Sequence, residues 1–120
     1  MRMVMVGAGY VGLVSGACFS EIGLDVTCVD SDKDKIDMLL DGALPIYEPG
    51  LDRLVSDNVE AGRLHFTSDL ASAVKGAKVI FIAVGTPSRR GDGHADLSYV
   101  YAAAEDIAKS ADAGSIIVTK

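Results

Sequence analysis

The 120-residue sequence predicts an α/β domain built on a doubly wound parallel sheet with strand order 3-2-1-4-5. Five short apolar runs alternate with segments of helical periodicity; the runs cover residues 3–6, 26–30, 64–67, 79–84 and 115–119. The first run, residues 3–6, is continuously rather than alternately apolar, which is typical of a strand buried on both faces. Right-handed crossovers between such strands put helices on both sides of the sheet.

The helices are predicted from apolar periodicity and from residues that cap or end them. The first covers residues 11–22, with a buried stripe of Val11, Val14, Cys18 and Ile22. Four more are expected: one capped by Ser31 or Asp32 and ended by Gly42, one from Leu51 to a stop at Gly62, one from Ser68 or Asp69 to Val74, and one from about Leu97 to Ser110. Their expected buried faces include Ile36, Leu39 and Leu40 in one helix, and Val100, Ala104, Ile107 and Ala108 in another.

Residues 1–120 are expected to form a single domain whose sheet is truncated after its fifth strand, because the usual sixth strand is not present. That truncation leaves Ser115–Thr119 with an open apolar edge, so we expect the domain to self-associate as a homo-oligomer.

Composition and charge exclude several classes of protein. The chain is 49% hydrophobic, which is too apolar for disorder, and its net charge of −6 is the wrong sign for a general nucleic-acid or anionic-membrane binder. No apolar run reaches the length of a membrane span. Cys18 and Cys28 fit no metal spacing, so we expect no metal site and two buried free thiols in a reducing cytoplasm.

A GxGxxG element lies between the first strand and the first helix; its residues are Gly7, Ala8, Gly9, Tyr10, Val11 and Gly12. In this context the element is typical of a Rossmann-type dinucleotide-binding turn. Gly7 permits the tight turn, Gly9 lets the backbone approach a pyrophosphate, and Gly12 lets the helix pack closely. Free N–H groups at the helix start then attract the phosphates without any lysine.

Asp30 ends the second strand, 18 residues after Gly12, where such folds place an acid for the adenosine ribose. The carboxylate can accept hydrogen bonds from both ribose hydroxyls and would repel a 2′-phosphate, so NAD is favoured over NADP. Lys35 follows in the next helix and is either at the rim of the ribose or adenine or an ordinary solvated lysine.

The segment after the fourth strand is the third candidate element; it comprises Val84, Gly85, Thr86 and Pro87. In a 3-2-1-4-5 sheet this segment borders the crevice beside the first strand, where ligands of such folds bind. Thr86 offers a hydroxyl and an N–H group to the cofactor, while Pro87 restricts the turn. An ordinary turn is the alternative interpretation.

Several longer segments resemble one family in register: residues 7–13, 45–51, 62–64, 84–87, 95–100 and 118–120. Together they are similar to the NAD-binding domain of the UDP-glucose/GDP-mannose dehydrogenase family, and residues 46–49 are most similar to its bacterial members that oxidise UDP-glucose. The resemblance implies oxidation of a sugar C6 alcohol to a carboxylate by two NAD in succession, with cofactor contacts at residues 7–12, Asp30, Lys35 and Thr86. Lys120 matches a family lysine at the start of a further segment.

The resemblance also implies that the catalytic cysteine and the pocket for UDP-glucose belong to a further domain. We therefore expect no catalytic residue in this chain, and NAD binding without turnover. GDP-mannose or a UDP-N-acetylhexosamine is an alternative substrate. A stand-alone NAD-binding regulatory module and a flavoprotein are alternatives of other classes. Arg89 and Arg90 are expected to face solvent.

Overall fold

The computed structural model describes residues 1–88 and 91–120; Arg89 and Arg90, and the expectation that they face solvent, lie outside the described residues. Strands and helices alternate within these ranges: β1 (Arg2–Val6), α1 (Tyr10–Glu21), β2 (Asp25–Val29), α2 (Lys33–Leu40), α3 (Leu51–Glu60), β3 (Leu64–Thr67), α4 (Leu70–Val74), β4 (Val79–Ile82), α5 (Ser98–Ser110) and β5 (Ile116–Thr119). All strand pairs are parallel, in the order β3-β2-β1-β4-β5, as predicted.

The central strand β1 is buried on both faces of the sheet. Met3 and Met5 of β1 belong to the core on the side of α1, α2 and α3. Val4 and Val6 of the same strand belong to the core on the side of α4 and α5. Successive residues of a strand point to opposite faces, so a strand covered on both sides must be apolar at every position. The continuous apolar run of residues 3–6 is a direct consequence.

The predicted buried stripe of α1 is wrong. Val11, Cys18 and Ile22 are exposed, and Val14 is half-buried. The helix instead turns its small residues to the sheet; the buried ones are Gly12, Leu13, Gly16, Ala17 and Ser20. Small side chains let the helix backbone approach the strands closely, and this contact outweighs the burial of larger apolar residues. The expectation of two buried thiols is therefore correct for Cys28 alone.

Smaller differences concern the end of β4 and the buried faces of α5 and α2. β4 ends at Ile82 instead of Val84. In α5, Ile107 is buried as predicted, but Ala103 is buried in place of Ala104 and Ala108. In α2, Ile36 and Leu39 are buried and Leu40 is exposed. α5 packs against α4 and β4 along a narrow stripe, so its other small residues remain at the surface.

A buried polar network joins α1, α3 and β3. The Asn58 side chain is fully buried, and its amide donates to Glu21 Oε2 and to the Leu54 carbonyl, both at 2.8 Å. Its Oδ1 accepts from Arg63 Nε at 3.1 Å and Nη2 at 2.9 Å, and Arg63 also donates to the Ser20 carbonyl. Asn58 thus uses both ends of its amide, and it fixes α1 against the segment that leads into β3.

Replacing Asn58 should therefore destabilise the domain more than an ordinary helix substitution does. Asn58→Ala removes four hydrogen bonds of a fully buried amide, to Glu21, Leu54 and Arg63, and we expect a loss of about 2–3 kcal/mol in the free energy of unfolding. Asp57→Ala is the matched control, since Asp57 is exposed and, among the described residues, forms an ion pair only with Arg53, at 4.0 Å. Urea unfolding with equal midpoints for the two variants would contradict the role of the network.

Candidate cofactor-binding site

A crevice of about 1040 Å³ opens at the carboxyl ends of β1, β2 and β4. This volume is just above the usual range for ligand and cofactor sites, and the position is the topological switch point of the sheet. The crevice brings together most of the residues predicted from the sequence; they are Gly7, Gly9, Val11, Asp30, Lys35, Val84, Gly85, Thr86 and Pro87. Ala8, Tyr10 and Gly12 do not line it.

The three motif glycines of the turn after β1 have different geometries. Gly7 has a φ of +113°, and a Cβ there would lie 2.5 Å from the Ala83 carbonyl oxygen. A Cβ on Gly12 would lie 1.8 Å from the Gly7 carbonyl oxygen. A Cβ on Gly9 would meet no atom of the described chain within 4 Å. Gly7 and Gly12 are therefore required by the fold itself, whereas Gly9 keeps space open at the crevice.

The start of α1 presents unpaired backbone donors. Gly9 is the N-cap and has no side chain to accept from them, and the first turn carries no acidic residue. Among the described residues, the N–H groups of Gly9, Tyr10 and Val11 have no hydrogen-bond acceptor. Such a helix start attracts anions through these donors and the helix dipole. A protein with a net charge of −6 can therefore bind a phosphate group here.

Asp30 is held in place before any ligand arrives. Its Oδ1 accepts from the Asp32 N–H at 2.9 Å, and its Oδ2 accepts from the Ala8 N–H at 2.9 Å and lies 3.4 Å from Lys35 Nζ. The carboxylate is largely buried, with 15% of its side chain exposed. The Ala8 amide is thus not available to a phosphate, because it orients the carboxylate at the end of β2.

Tyr10 points away from the crevice. Its hydroxyl donates to Glu48 Oε2 at 2.9 Å, which ties the start of α1 to the Pro-bearing segment of residues 45–50. The hydrogen bond to Glu48 and the charge of that carboxylate raise the pKa of the Tyr10 phenol. The phenol therefore keeps its proton to a higher pH than an isolated tyrosine would. A separate concavity of about 350 Å³, which Glu48 and Tyr47 help to line, lies beside this link.

A family model described as the UDP-glucose/GDP-mannose dehydrogenase family, NAD binding domain, matches residues 1–120. The chain belongs to this family. It is 62% identical to a UDP-glucose 6-dehydrogenase of Rhizobium meliloti, over 100% of this chain and 28% of that protein. It is 50% identical to the UDP-glucose 6-dehydrogenase TuaD of Bacillus subtilis, over 99% of this chain and 26% of that protein. The chain thus spans about a quarter of the length of these relatives.

Solved structures of the family share the fold. A UDP-glucose dehydrogenase from Pyrobaculum islandicum superposes with a TM-score of 0.92 at 36% identity, over 99% of this chain and 28% of that one. A GDP-mannose dehydrogenase from Pseudomonas aeruginosa superposes with a TM-score of 0.85 at 42% identity, over 89% of this chain and 24% of that one. The chain is accordingly a Rossmann-type domain of the family, and NAD is its cofactor.

The crevice fits NAD chemically. The open space at Gly9 and the unpaired donors of α1 suit a pyrophosphate, and the oriented Asp30 carboxylate suits a pair of ribose hydroxyls. NAD supplies hydride acceptance when bound, and the chain supplies the groups that orient it.

Neither cysteine of the domain is suited to covalent chemistry at the crevice. Burial raises the pKa of the Cys28 thiol to about 12, so its thiolate is not available. Cys18 is exposed on α1 but does not line the crevice. The described residues contain no group of three or more His, Cys, Asp or Glu side chains that could hold a metal ion. No helix in the described ranges is long and apolar enough to cross a membrane.

Sequence reasoning missed one wall of the crevice. This wall is formed by residues that follow β3, by residues of α5 and by the residue that follows β5. They are Ser68, Leu70, Tyr99, Ala102, Ala103, Asp106 and Lys120. No local motif marks these residues, because their place depends on how α5 packs over β4. The sequence singles out Lys120 only through its match to the family.

The glycine geometry predicts opposite effects for two equal substitutions. Gly9→Val should abolish NAD binding while the melting temperature stays close to wild type, because the new side chain fills only the open space of the crevice. Gly12→Val should lower the melting temperature or prevent folding, because its Cβ overlaps the Gly7 carbonyl. Calorimetric titration and thermal unfolding measure the two effects. Normal NAD affinity in folded Gly9→Val would show that no phosphate lies on this turn.

Proposed function

We propose that this domain is the NAD-binding part of a UDP-glucose 6-dehydrogenase, which oxidises UDP-glucose to UDP-glucuronate with two molecules of NAD. The 62% identity to the Rhizobium meliloti enzyme, against 42% to the GDP-mannose dehydrogenase structure, favours UDP-glucose over GDP-mannose. The domain itself binds NAD without turnover, because neither of its cysteines is a suitable nucleophile at the crevice. The reaction would serve the cytoplasmic supply of sugar precursors for polysaccharides.

The proposed roles follow from the crevice. The turn after β1 receives the pyrophosphate where Gly7, Gly9 and Val11 line the crevice, and the segment from Val84 to Pro87 borders the cofactor on the side of β4. Asp30 accepts from the hydroxyls of the adenosine ribose, with Lys35 beside it. The single observation that carries the choice of NAD over NADP is the oriented, largely buried Asp30 carboxylate. A 2′-phosphate would place two negative charges against it.

Lys35 determines how the affinity for NADP should change when the Asp30 carboxylate is removed. Its ammonium group lies 3.4 Å from Asp30 Oδ2 and loses its partner when Asp30 is replaced. A lysine without that partner is available to a 2′-phosphate. Removing Asp30 should therefore do more than weaken NAD: it should create an attraction for NADP.

Titration of the domain with NAD and NADP tests the proposal. Wild type should bind NAD at least tenfold more tightly; Asp30→Ser should weaken NAD about tenfold to a hundredfold and bind NADP better than wild type does. Adding Lys35→Gln to Asp30→Ser should remove the gain for NADP. Asp34→Asn, at an exposed acid of the same helix, is the charge-matched control. Equal affinities of the wild type for the two dinucleotides would refute the role of Asp30.

We also propose that the domain forms homo-oligomers through β5. Ile116 and Ile117 are 61% and 49% exposed, and within the described residues β5 pairs with β4 alone. An open strand edge with apolar faces favours pairing with a second chain.

Sedimentation of the 120-residue chain at several concentrations should show association that Ile117→Lys reduces, because the charge opposes both edge pairing and apolar contact. Ile22→Lys is the matched control, since Ile22 is 75% exposed at the end of α1, away from this edge. A monomer at every concentration, or equal effects of both variants, would contradict this assembly.

A further inference from the structure

The wall of the crevice that no motif marks carries one acid without a partner. Asp106 of α5 lines the crevice and makes no hydrogen bond or ion pair with any other described residue. Its carboxylate is separate from Asp30, which has its own partners at the end of β2. A polar group at the margin of a cofactor crevice, with no partner in the protein, is available to the cofactor.

Position along α5 puts Asp106 beside a flat apolar strip. Tyr99, Ala102, Ala103 and Asp106 all line the crevice, and their spacing of three or four residues places them on one face of the helix. Side chains of a helix lean toward its N-terminus, and α5 begins at the carboxyl edge of the sheet. The Asp106 side chain therefore leans toward the mouth of the crevice.

The strip continues into an apolar floor next to the ribose position. Val29, Leu70, Val84 and Ala103 line the crevice and belong to one core cluster. This floor adjoins Asp30, because Val29 of the floor directly precedes Asp30 in the chain and both residues line the crevice. Ala103 is small, Leu70 packs against the same cluster, and both line the crevice, so the floor offers a flat ring an apolar surface.

We propose that this floor receives the adenine ring of NAD and that Asp106 accepts a hydrogen bond from its 6-amino group. The inference rests on the proposed function, because it takes the adenosine ribose to lie at Asp30. The pyrophosphate extends from the ribose toward Gly9. The adenine ring is attached to the other side of the ribose and therefore faces the floor at Leu70 and Ala103. Asp106 then stands at the edge of the base rather than at its face, where an exocyclic amine is found.

The consequence is discrimination between adenine and hypoxanthine. Hypoxanthine has a carbonyl oxygen in place of the amine, and a carboxylate can only accept hydrogen bonds, so the two acceptors would repel each other. An asparagine at this position can accept from an amine or donate to a carbonyl. The two dinucleotides carry the same charge, so the ratio of their affinities is insensitive to the general electrostatic effect of removing an acid.

Calorimetric titration with NAD and with nicotinamide hypoxanthine dinucleotide tests the proposal. Wild type should prefer NAD about tenfold, and Asp106→Asn should reduce the preference to within about twofold. Asp106→Ala should also reduce it, by removing the acceptor. Glu105→Gln is the matched control: it removes one negative charge from the adjacent exposed position, which does not line the crevice, and should keep the wild-type ratio.

The outcomes separate this inference from the function on which it rests. An Asp106→Asn variant that binds NAD and keeps the wild-type ratio would overturn the adenine contact while leaving the NAD site intact. A wild-type domain that binds neither dinucleotide would overturn both the contact and the proposed function. Circular dichroism of each variant confirms its fold, which substitution of an exposed helix residue should preserve.

Discussion

The close approach of α1 to the turn after β1 is the constraint on which the rest of the domain depends. The position of a Gly12 Cβ would lie 1.8 Å from the Gly7 carbonyl oxygen, so the helix and the strand meet with no side chain between them. Gly16, one helical turn later, makes a second close contact of the helix with the sheet: a Cβ there would lie 2.8 Å from Cys28 Sγ. These contacts set the height of the helix over the sheet, and hence the position of its unpaired N–H groups at the crevice.

The same region shows how a binding site and a fold share their hydrogen bonds. The Ala8 N–H donates a hydrogen bond to the Asp30 carboxylate. This bond connects the glycine turn after β1 to the acid after β2. The Gly7 N–H likewise donates to the Val29 carbonyl at 2.7 Å. The phosphate-binding and ribose-binding parts of the crevice are therefore one connected unit. Removing the carboxylate affects the turn as well as the ribose contact.

Much of this organisation could be predicted from local sequence. Strand order, the roles of Gly7 and Gly12 and the approach of Asp30 to the switch point follow from continuous apolar runs and from turn chemistry. The face of α1 could not be predicted, because a count of apolar residues gives no weight to glycines that permit close packing. Asp106 and Leu70 were missed because their place in the crevice depends on how α5 and α4 pack, and that is a tertiary property. The direction of the Tyr10 side chain depends on Glu48, which is 38 residues away in the chain.

The packing of Gly16 against Cys28 has a consequence for the chemical reactivity of the domain. Cys28 lies beneath the helix with its thiol fully protonated at neutral pH, whereas Cys18 lies on the outer side of the same helix. A thiol reagent therefore labels the native domain at Cys18 alone, outside the crevice, without any engineered substitution. Modification of Cys28 requires α1 to separate from β2, so its rate under native conditions reports the opening free energy of the helix that carries the phosphate-binding turn.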